Sequence, residues 1–577
     1  MKYLVTSCIK GLIVITFLFL FSCKNGDTNV KADLIIVGGT IYTVAEKDTT
    51  VEAVAIKKDR IIFAGSESET LRFRGDSTRM IDLQEATMTP GFIEGHGHFM
   101  EMGMNAIQLD LSGVESYDIL VERVRGAVKK AKPGEWITGR GWHQSKWFPQ
   151  PDTLVKGFQT HEKLSTVSPD NPVFLSHASG HAGFANMKAM EVAGVNQLSV
   201  ESIDHDEEGG EVIRDHLGNP TGIFTEEAMG LISAYIPTDS LEVQSRAFEL
   251  AVESCLRNGI TSFHDAGVSP QTLALYQRAK AGGLLKVRLY AMLSGTNQSL
   301  VEEWLRKGPE IDTVEYLLTI RSFKLSCDGA LGSRGAWLLE EYSDRPGHAG
   351  NNTLSMEYVE ELSQKALKAG FQVCTHAIGD RANREVLNRY EAAFARDPMN
   401  AKDHRFRIEH AQHLHPDDIP RFASMGVIPA MQAIHMSSDR PWAIDRLGEK
   451  RIVEGAYVWQ KLLASGAKIV NGTDVPVEPI NPLASFYASV TRKTLDGEPE
   501  NGYEPAQKMS REQALRSYTL DAAFGAFEEH LKGSVEAGKL ADFTVFDQDI
   551  MTIPEGEILR TKVMMTIVGG KIVYQNK

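Results

Sequence analysis

Hydrophobic positions along the chain follow two patterns. Near the start, short runs rich in β-branched residues alternate with turn residues. Residues 32–43 (ADLIIVGGTIYT), 51–57 (VEAVAIK) and 60–64 (RIIFA) read as strands, and residues 80–83 and 86–90 continue the pattern. The far end repeats it in residues 541–546 (ADFTVF), 563–568 (VMMTIV) and 571–574 (KIVY). Strands at both ends predict one small β-sandwich domain assembled from residues 32–88 and 526–577, with a larger domain inserted between them. That middle part, residues 89–525, alternates apolar strand-like runs with amphipathic stretches such as 241–257 and 356–369. The runs are 87–93, 259–263, 285–293, 320–325, 371–375, 406–408, 427–431 and 468–470. Alternating strand and helix predicts a parallel sheet, and eight such strands predict an α/β fold of the (β/α)8 TIM-barrel type. The stretch from 111 to 261 is too long for one βα connection. It predicts a large insertion after the first strand, at about residues 112–250.

The first residues carry a different signal. Lys2 and Lys10 precede residues 12–21 (LIVITFLFLF), which are apolar except for Thr16. A transmembrane helix needs ~20 residues, so this run has the size of a signal-peptide core. Leu20-Phe21-Ser22-Cys23 resembles a bacterial lipobox. The expectation is a lipoprotein signal peptide over residues 1–22, a lipid on Cys23 and a polar tether over 23–31. That address is the bacterial cell envelope, with membrane contact only through the lipid anchor. A plain signal peptide or an uncleaved anchor fits the same residues.

Composition narrows the class. Hydrophobic residues at 42% and charged residues at 24% fit a folded globular chain rather than a disordered one. The formal charge of −15 argues against nucleic acid as a partner, because neutralising phosphates needs an excess of Lys and Arg. The five cysteines form no CxxC pair, which excludes a thiolate zinc finger. Oligomeric state is not fixed by the sequence, and a homo-oligomer is compatible with it.

Candidate chemistry gathers just after the strands, the end at which (β/α)8 barrels place their active sites. His96 and His98 stand at i and i+2, which on a strand puts both imidazoles on one face. A lone HxH is weak among 17 histidines. The ordered series is stronger: HxH after strand one, Lys324 in strand four, His376 after strand five, His410 after strand six and Asp474 after strand eight.

This order resembles the amidohydrolase superfamily of metal-dependent hydrolases. Residues 90–99 (PGFIEGHGHF) look like its opening motif, with Glu94 where Asp is usual, and residues 533–546 (GSVEAGKLADFTVF) look like its closing motif. The subgroup it resembles most includes the N-substituted formamide deformylases. That likeness rests on residues 141–147 (GWHQSKW), 179–186 (SGHAGFAN), 323–329 (FKLSCDG), 376–382 (HAIGDRA), 408–412 (IEHAQ) and 472–476 (GTDVP). The resemblance implies one metal on His96, His98 and Asp474, a second on His376 and His410, and Lys324 bridging them as a carboxylated lysine. Zinc is the expected ion, one or two per chain. The bland alternatives are a structural ion pair of Lys324 with Asp328 or another acid, and core packing for His376 and His410.

Substrate contacts are expected from His181, Trp147 and Arg334. Arg334 lies in Ser333-Arg334-Gly335-Ala336 where the family often has SRTA. His143 and His177 are further candidates that a packing role explains equally well. The implied function is hydrolysis of a non-peptide C–N bond in a small molecule: an amide, an N-formyl or N-acyl amine, or a cyclic amide. Asp474 would be the proton carrier. Ester, lactone or phosphoester hydrolysis at the same site, or capture of a small molecule without catalysis, are the rival readings.

Overall fold

The computed structural model describes residues 30–47, 49–195, 210–237 and 240–576. The expected signal peptide, Cys23 and most of the tether lie outside the described residues. Among the described residues no helix is long and apolar enough to cross a membrane.

Eight parallel strands form the central sheet, in the chain order Phe92–Gly97, Ile260–Val268, Arg288–Ser294, Leu318–Ser326, Gln372–Ala377, Arg407–His410, Ile428–Met431 and Val470–Asn471. Each pairs with its neighbour in sequence. The last returns to the first, where the Asp474 amide donates to the His96 carbonyl (2.8 Å) and the His98 amide to that of Val475 (2.7 Å). The result is the near-closed barrel that the alternating pattern predicts. Its strands are buried along almost their whole length, as expected for a parallel sheet covered by helices. The covering helices start and stop on local signals. Ser355 accepts from the Tyr358 amide to cap Met356–Ala369, and Gly370 ends that helix in the left-handed region at φ 81°.

The two chain ends share a second sheet, in which Thr87–Pro90 lies between Leu34–Tyr42 and Phe543–Phe546. It is one continuous sheet of eight strands rather than two separately paired ones. The 87–93 run is in fact two strands. Thr87–Pro90 pairs antiparallel with Phe543–Phe546, and Phe92–Gly97 then opens the barrel. Buried Arg288, at the base of the third barrel strand, ties the two units together through Asp542, with Nε to Oδ2 at 2.7 Å and Nη2 to Oδ1 at 2.8 Å.

The insertion begins at Leu109–Asp110 and builds a third sheet of six strands that ends at Pro220–Thr225. It has its own core around Leu120, Trp142, Leu175 and Phe184. Helix Leu241–Arg257, partly assigned to the insertion by sequence, instead buries Phe248, Ala251 and Cys255 in the barrel core. The insertion therefore starts slightly earlier and ends about ten residues sooner than 112–250.

Candidate metal centre

The C-terminal ends of the barrel strands surround a cavity of about 550 Å³. Its wall includes His96, His98, Lys324, His376, His410 and Asp474, so all six residues expected as metal ligands reach one space. Strand register explains the meeting: Ser326 stands opposite His376, and Ala377 opposite His410. His410 (φ 74°) and Asp474 (φ 58°) adopt left-handed backbone that side-chain-bearing residues seldom take. Such strain concentrates where surrounding structure fixes a functional group.

Three imidazoles are oriented from behind. His96 Nδ1 donates to Glu409 Oε2 (2.5 Å), His98 Nδ1 to the Ala266 carbonyl (3.0 Å) and His410 Nδ1 to Gln432 Oε1 (2.8 Å). The amide of Gln432 donates to the Ala430 carbonyl, which turns its oxygen towards His410. With the proton held on Nδ1, each Nε2 keeps a bare lone pair, the state a metal ligand requires. Among the described residues, His96 Nε2, His376 Nε2 and Asp474 Oδ1 are buried with no hydrogen-bond partner. Among the described residues, His96, His410 and Asp474 form a group whose ligand atoms all lie within 4.8 Å of one another. Orphaned donor atoms of this kind fit a divalent ion. This trio crosses the division expected from the sequence, which gave His410 to a second metal with His376. The His376 ring is nonetheless adjacent, 4.5 Å from that of His410.

The supporting charges are buried as well. Glu409 accepts from Arg407 through Nε (2.7 Å) and Nη2 (2.8 Å). Burial opposes its ionisation, but Arg407 and His96 together hold its carboxyl well below the ordinary range. Glu94 accepts from the amide and hydroxyl of Thr473, and burial pushes its pKa up to about 8. Lys324 faces the cavity, and among the described residues its ammonium makes only one hydrogen bond, a long one of 3.4 Å to the Leu325 carbonyl. Burial lowers its pKa against the pull of Glu409 and Asp474. The Asp328 alternative for Lys324 is not realised, because Asp328 accepts the backbone amides of Trp337, Ile378 and Gly379.

Of the three expected substrate contacts, His181 lines the cavity, with Nδ1 2.7 Å from Glu226 Oε2 and its ring 5.3 Å from that of His376. Trp147 does not. The short turn Gln144–Lys146 swings it inward, where it stacks on Tyr117 in the insertion core. Arg334 is also elsewhere, paired with Asp344 (2.8 Å) beside a separate cavity of about 460 Å³. His143 and His177 both line the main cavity.

His435 was missed by the sequence reading. Its Nε2 lies 3.3 Å from Asp474 Oδ2, and although burial works against charge, Asp474 raises its pKa to about 9. Its place just beyond the seventh strand was the available signal.

Comparison with known proteins agrees with this geometry. Residues 79–574 match the model of the Amidohydrolase family. The protein LONG AFTER FAR-RED 3 of Arabidopsis thaliana is 32% identical over 94% of this chain and 92% of its own. The N-substituted formamide deformylase of Arthrobacter pascens is 29% identical over 94% of this chain and 98% of its own. An uncharacterized metal-dependent hydrolase from Pyrococcus furiosus superposes with a TM-score of 0.69 at 29% identity, over 90% of this chain and all (100%) of that one. The chain belongs to the amidohydrolase family and shares the fold of a metal-dependent hydrolase.

Proposed function

We propose that the protein hydrolyses a non-peptide C–N bond, in an amide, an N-formyl or N-acyl amine, or a cyclic amide. The observation that carries this reading is the convergence of three imidazoles, each hydrogen-bonded through Nδ1, around Asp474, whose Oδ1 lies 3.5 Å from His96 Nε2 and 3.3 Å from His98 Nε2. The likeness to the formamide deformylase supports the choice of bond.

His96, His98, His376, His410 and Asp474 would hold one or two divalent ions, with zinc as the proposed metal. Such an ion supplies Lewis acidity, polarising a carbonyl oxygen and making water easier to deprotonate. Lys324 is suited to join them after its amine adds to CO2, which gives a carbamate with two oxygens. That reaction needs the neutral amine, and burial favours it.

The chain's own groups then move the proton. Asp474 takes it from the attacking water as the oxygen bonds to the carbonyl carbon. His435, against the other carboxylate oxygen, steadies Asp474 in its charged form. Asp474 next delivers the proton to the departing nitrogen, so that amide and water become acid and amine. His181, held by Glu226, faces the same space and is placed to hold the substrate carbonyl.

A panel of N-formyl amines, N-acyl amines, cyclic amides and matched esters, assayed with and without a chelator, tests the reading. Amine release that the chelator abolishes is the expected result. Hydrolysis of the esters alone, or turnover indifferent to chelation in metal-free protein, would overturn it.

A further inference from the structure

Away from the metal ligands, the cavity wall carries a second set of polar groups that the hydrolysis does not use. His143, Lys146 and His177 come from the insertion, and Trp442 from the helix beyond the seventh barrel strand. The His143 ring lies 4.6 Å from that of His177 and 6.1 Å from that of Trp442. Among the described residues, His143 Nδ1, His177 Nε2 and Trp442 Nε1 are all buried without a hydrogen-bond partner. His177 is only 3% exposed. Three unpaired ring nitrogens in one place are costly in a folded protein unless something occupies them.

The Ser179 amide donates to His177 Nδ1 (3.1 Å), so that nitrogen is an acceptor. Burial, reinforced by nearby Lys146 and Arg140, keeps His177 neutral. The single ring proton is therefore on Nε2, the atom without a partner. Trp442 Nε1 can only donate. His143 is also kept neutral, mainly by burial and then by Lys146 and Arg446. The wall thus presents two N–H donors beside an ammonium.

The acidic residues of the same rim are already engaged. Glu101 pairs with Arg140 (2.6 Å), Asp439 accepts from Gln412 (3.0 Å) and Tyr457 (3.2 Å), and Glu478 accepts from the Ser438 hydroxyl. Among the described residues Lys146 has no carboxylate within ion-pair distance, and its charge acts on Asp439 only from further away. One free positive charge flanked by two donors matches a planar group with two acceptor oxygens and one negative charge. A dianion such as a phosphate monoester would meet too little positive charge beside Glu101, Asp439 and Glu478.

We propose that His143, Lys146, His177 and Trp442 form a carboxylate-binding subsite, so that the substrate is an N-acylated amine bearing a carboxylate away from the scissile bond. This rests on the C–N hydrolysis proposed above and names its substrate class. The cavity of about 550 Å³ holds such a molecule with both ends engaged.

The matched pair N-formyl-leucine and N-formyl-3-methylbutylamine, which differ only in the carboxylate, provides the test. The metal-loaded protein should favour the acid by at least about tenfold in kcat/KM, mainly through KM. Lys146→Met and Trp442→Phe should each shrink that ratio, and Lys146→Arg should keep most of it. Equal rates on both compounds, or a ratio unchanged in Lys146→Met and Trp442→Phe, would overturn the subsite. If neither compound is cleaved, the C–N reading is left to the substrate panel above and calorimetry decides the subsite separately. Binding of 4-methylpentanoate should then exceed that of 4-methylpentanamide and fall about tenfold in Lys146→Met. Equal affinity for the acid in wild type and Lys146→Met would indicate a carboxylate bound at the metal alone and would refute the proposal.

Discussion

Replacing Glu409 by Gln isolates what the buried carboxylate does for the metal centre. Glu409 Oε1 accepts from Arg407 Nε, and Oε2 accepts from both Arg407 Nη2 and His96 Nδ1. A glutamine amide has the same shape but one oxygen. If its oxygen takes the Oε1 position, the NH2 faces Arg407 Nη2 and forces His96 Nδ1 to become an acceptor. The ring proton then moves to Nε2, the atom that must be bare for a metal. If the oxygen takes the Oε2 position, the NH2 opposes Arg407 Nε–H. Either orientation makes a donor–donor contact and leaves the fully buried Arg407 without its counter-charge. Breaking a buried pair in this way costs ~3–5 kcal/mol. Loss of a carboxylate behind a ligating histidine weakens metal binding by roughly 10–100-fold. Glu409→Gln should therefore lower the thermal midpoint and release metal to a competing chelator at correspondingly lower chelator concentration. The double variant Arg407→Met, Glu409→Gln should recover part of both losses, since the amide is then free to turn its oxygen to His96. A single variant with wild-type metal affinity and an unchanged midpoint would refute the orientation argument.

Two further outcomes follow from named contacts. Asp474→Asn keeps an oxygen for the metal but cannot take a proton, so kcat should fall by ~100-fold or more while much of the metal is retained. Near-normal kcat at full metal loading would remove Asp474 from that role. Asp542→Asn breaks the tie between barrel and end-to-end sheet. In the folded chain burial disfavours the Asp542 charge, but Arg288 outweighs it and the pKa is lowered. Its contribution is therefore complete above the unfolded value of ~3.9 and is lost as pH falls below it. Thermal midpoints measured from pH 7 to pH 3 should fall more steeply for wild type than for the variant at the acid end. Parallel curves would show that the pair does not govern acid sensitivity.

The ligand residues could be read from the sequence because barrel topology converts strand order into spatial order. Once His96, Lys324, His376, His410 and Asp474 are assigned to strand ends, the register leaves them nowhere to go but the same mouth. Residues outside the strands had no such constraint. Trp147 sits four positions from His143 in sequence, yet one short turn sends it into the insertion core while His143 stays on the cavity wall. Arg334 follows the fourth strand closely, but its guanidinium is captured by Asp344. Hydrophobic pattern alone could not separate Thr87–Pro90 from Phe92–Gly97, because an apolar run does not reveal a change of hydrogen-bonding partner.

His435 and Gln432 mark a more general limit. Each is defined by the group it touches, Asp474 after the eighth strand in one case and His410 in the sixth in the other. Their contacts form only after the barrel closes, so the sequence offers no more than a place just beyond the seventh strand. The same holds for the insertion wall. His177 acquires an unsatisfied donor because the Ser179 amide occupies its Nδ1, His143 of the same insertion packs against it, and Trp442 reaches His143 from the barrel. A barrel can therefore keep one set of strand-end ligands while the insertion changes what approaches them. Substrate choice in this protein should be sought on that wall, and substitutions there should alter KM ratios between substrates more than they alter metal content.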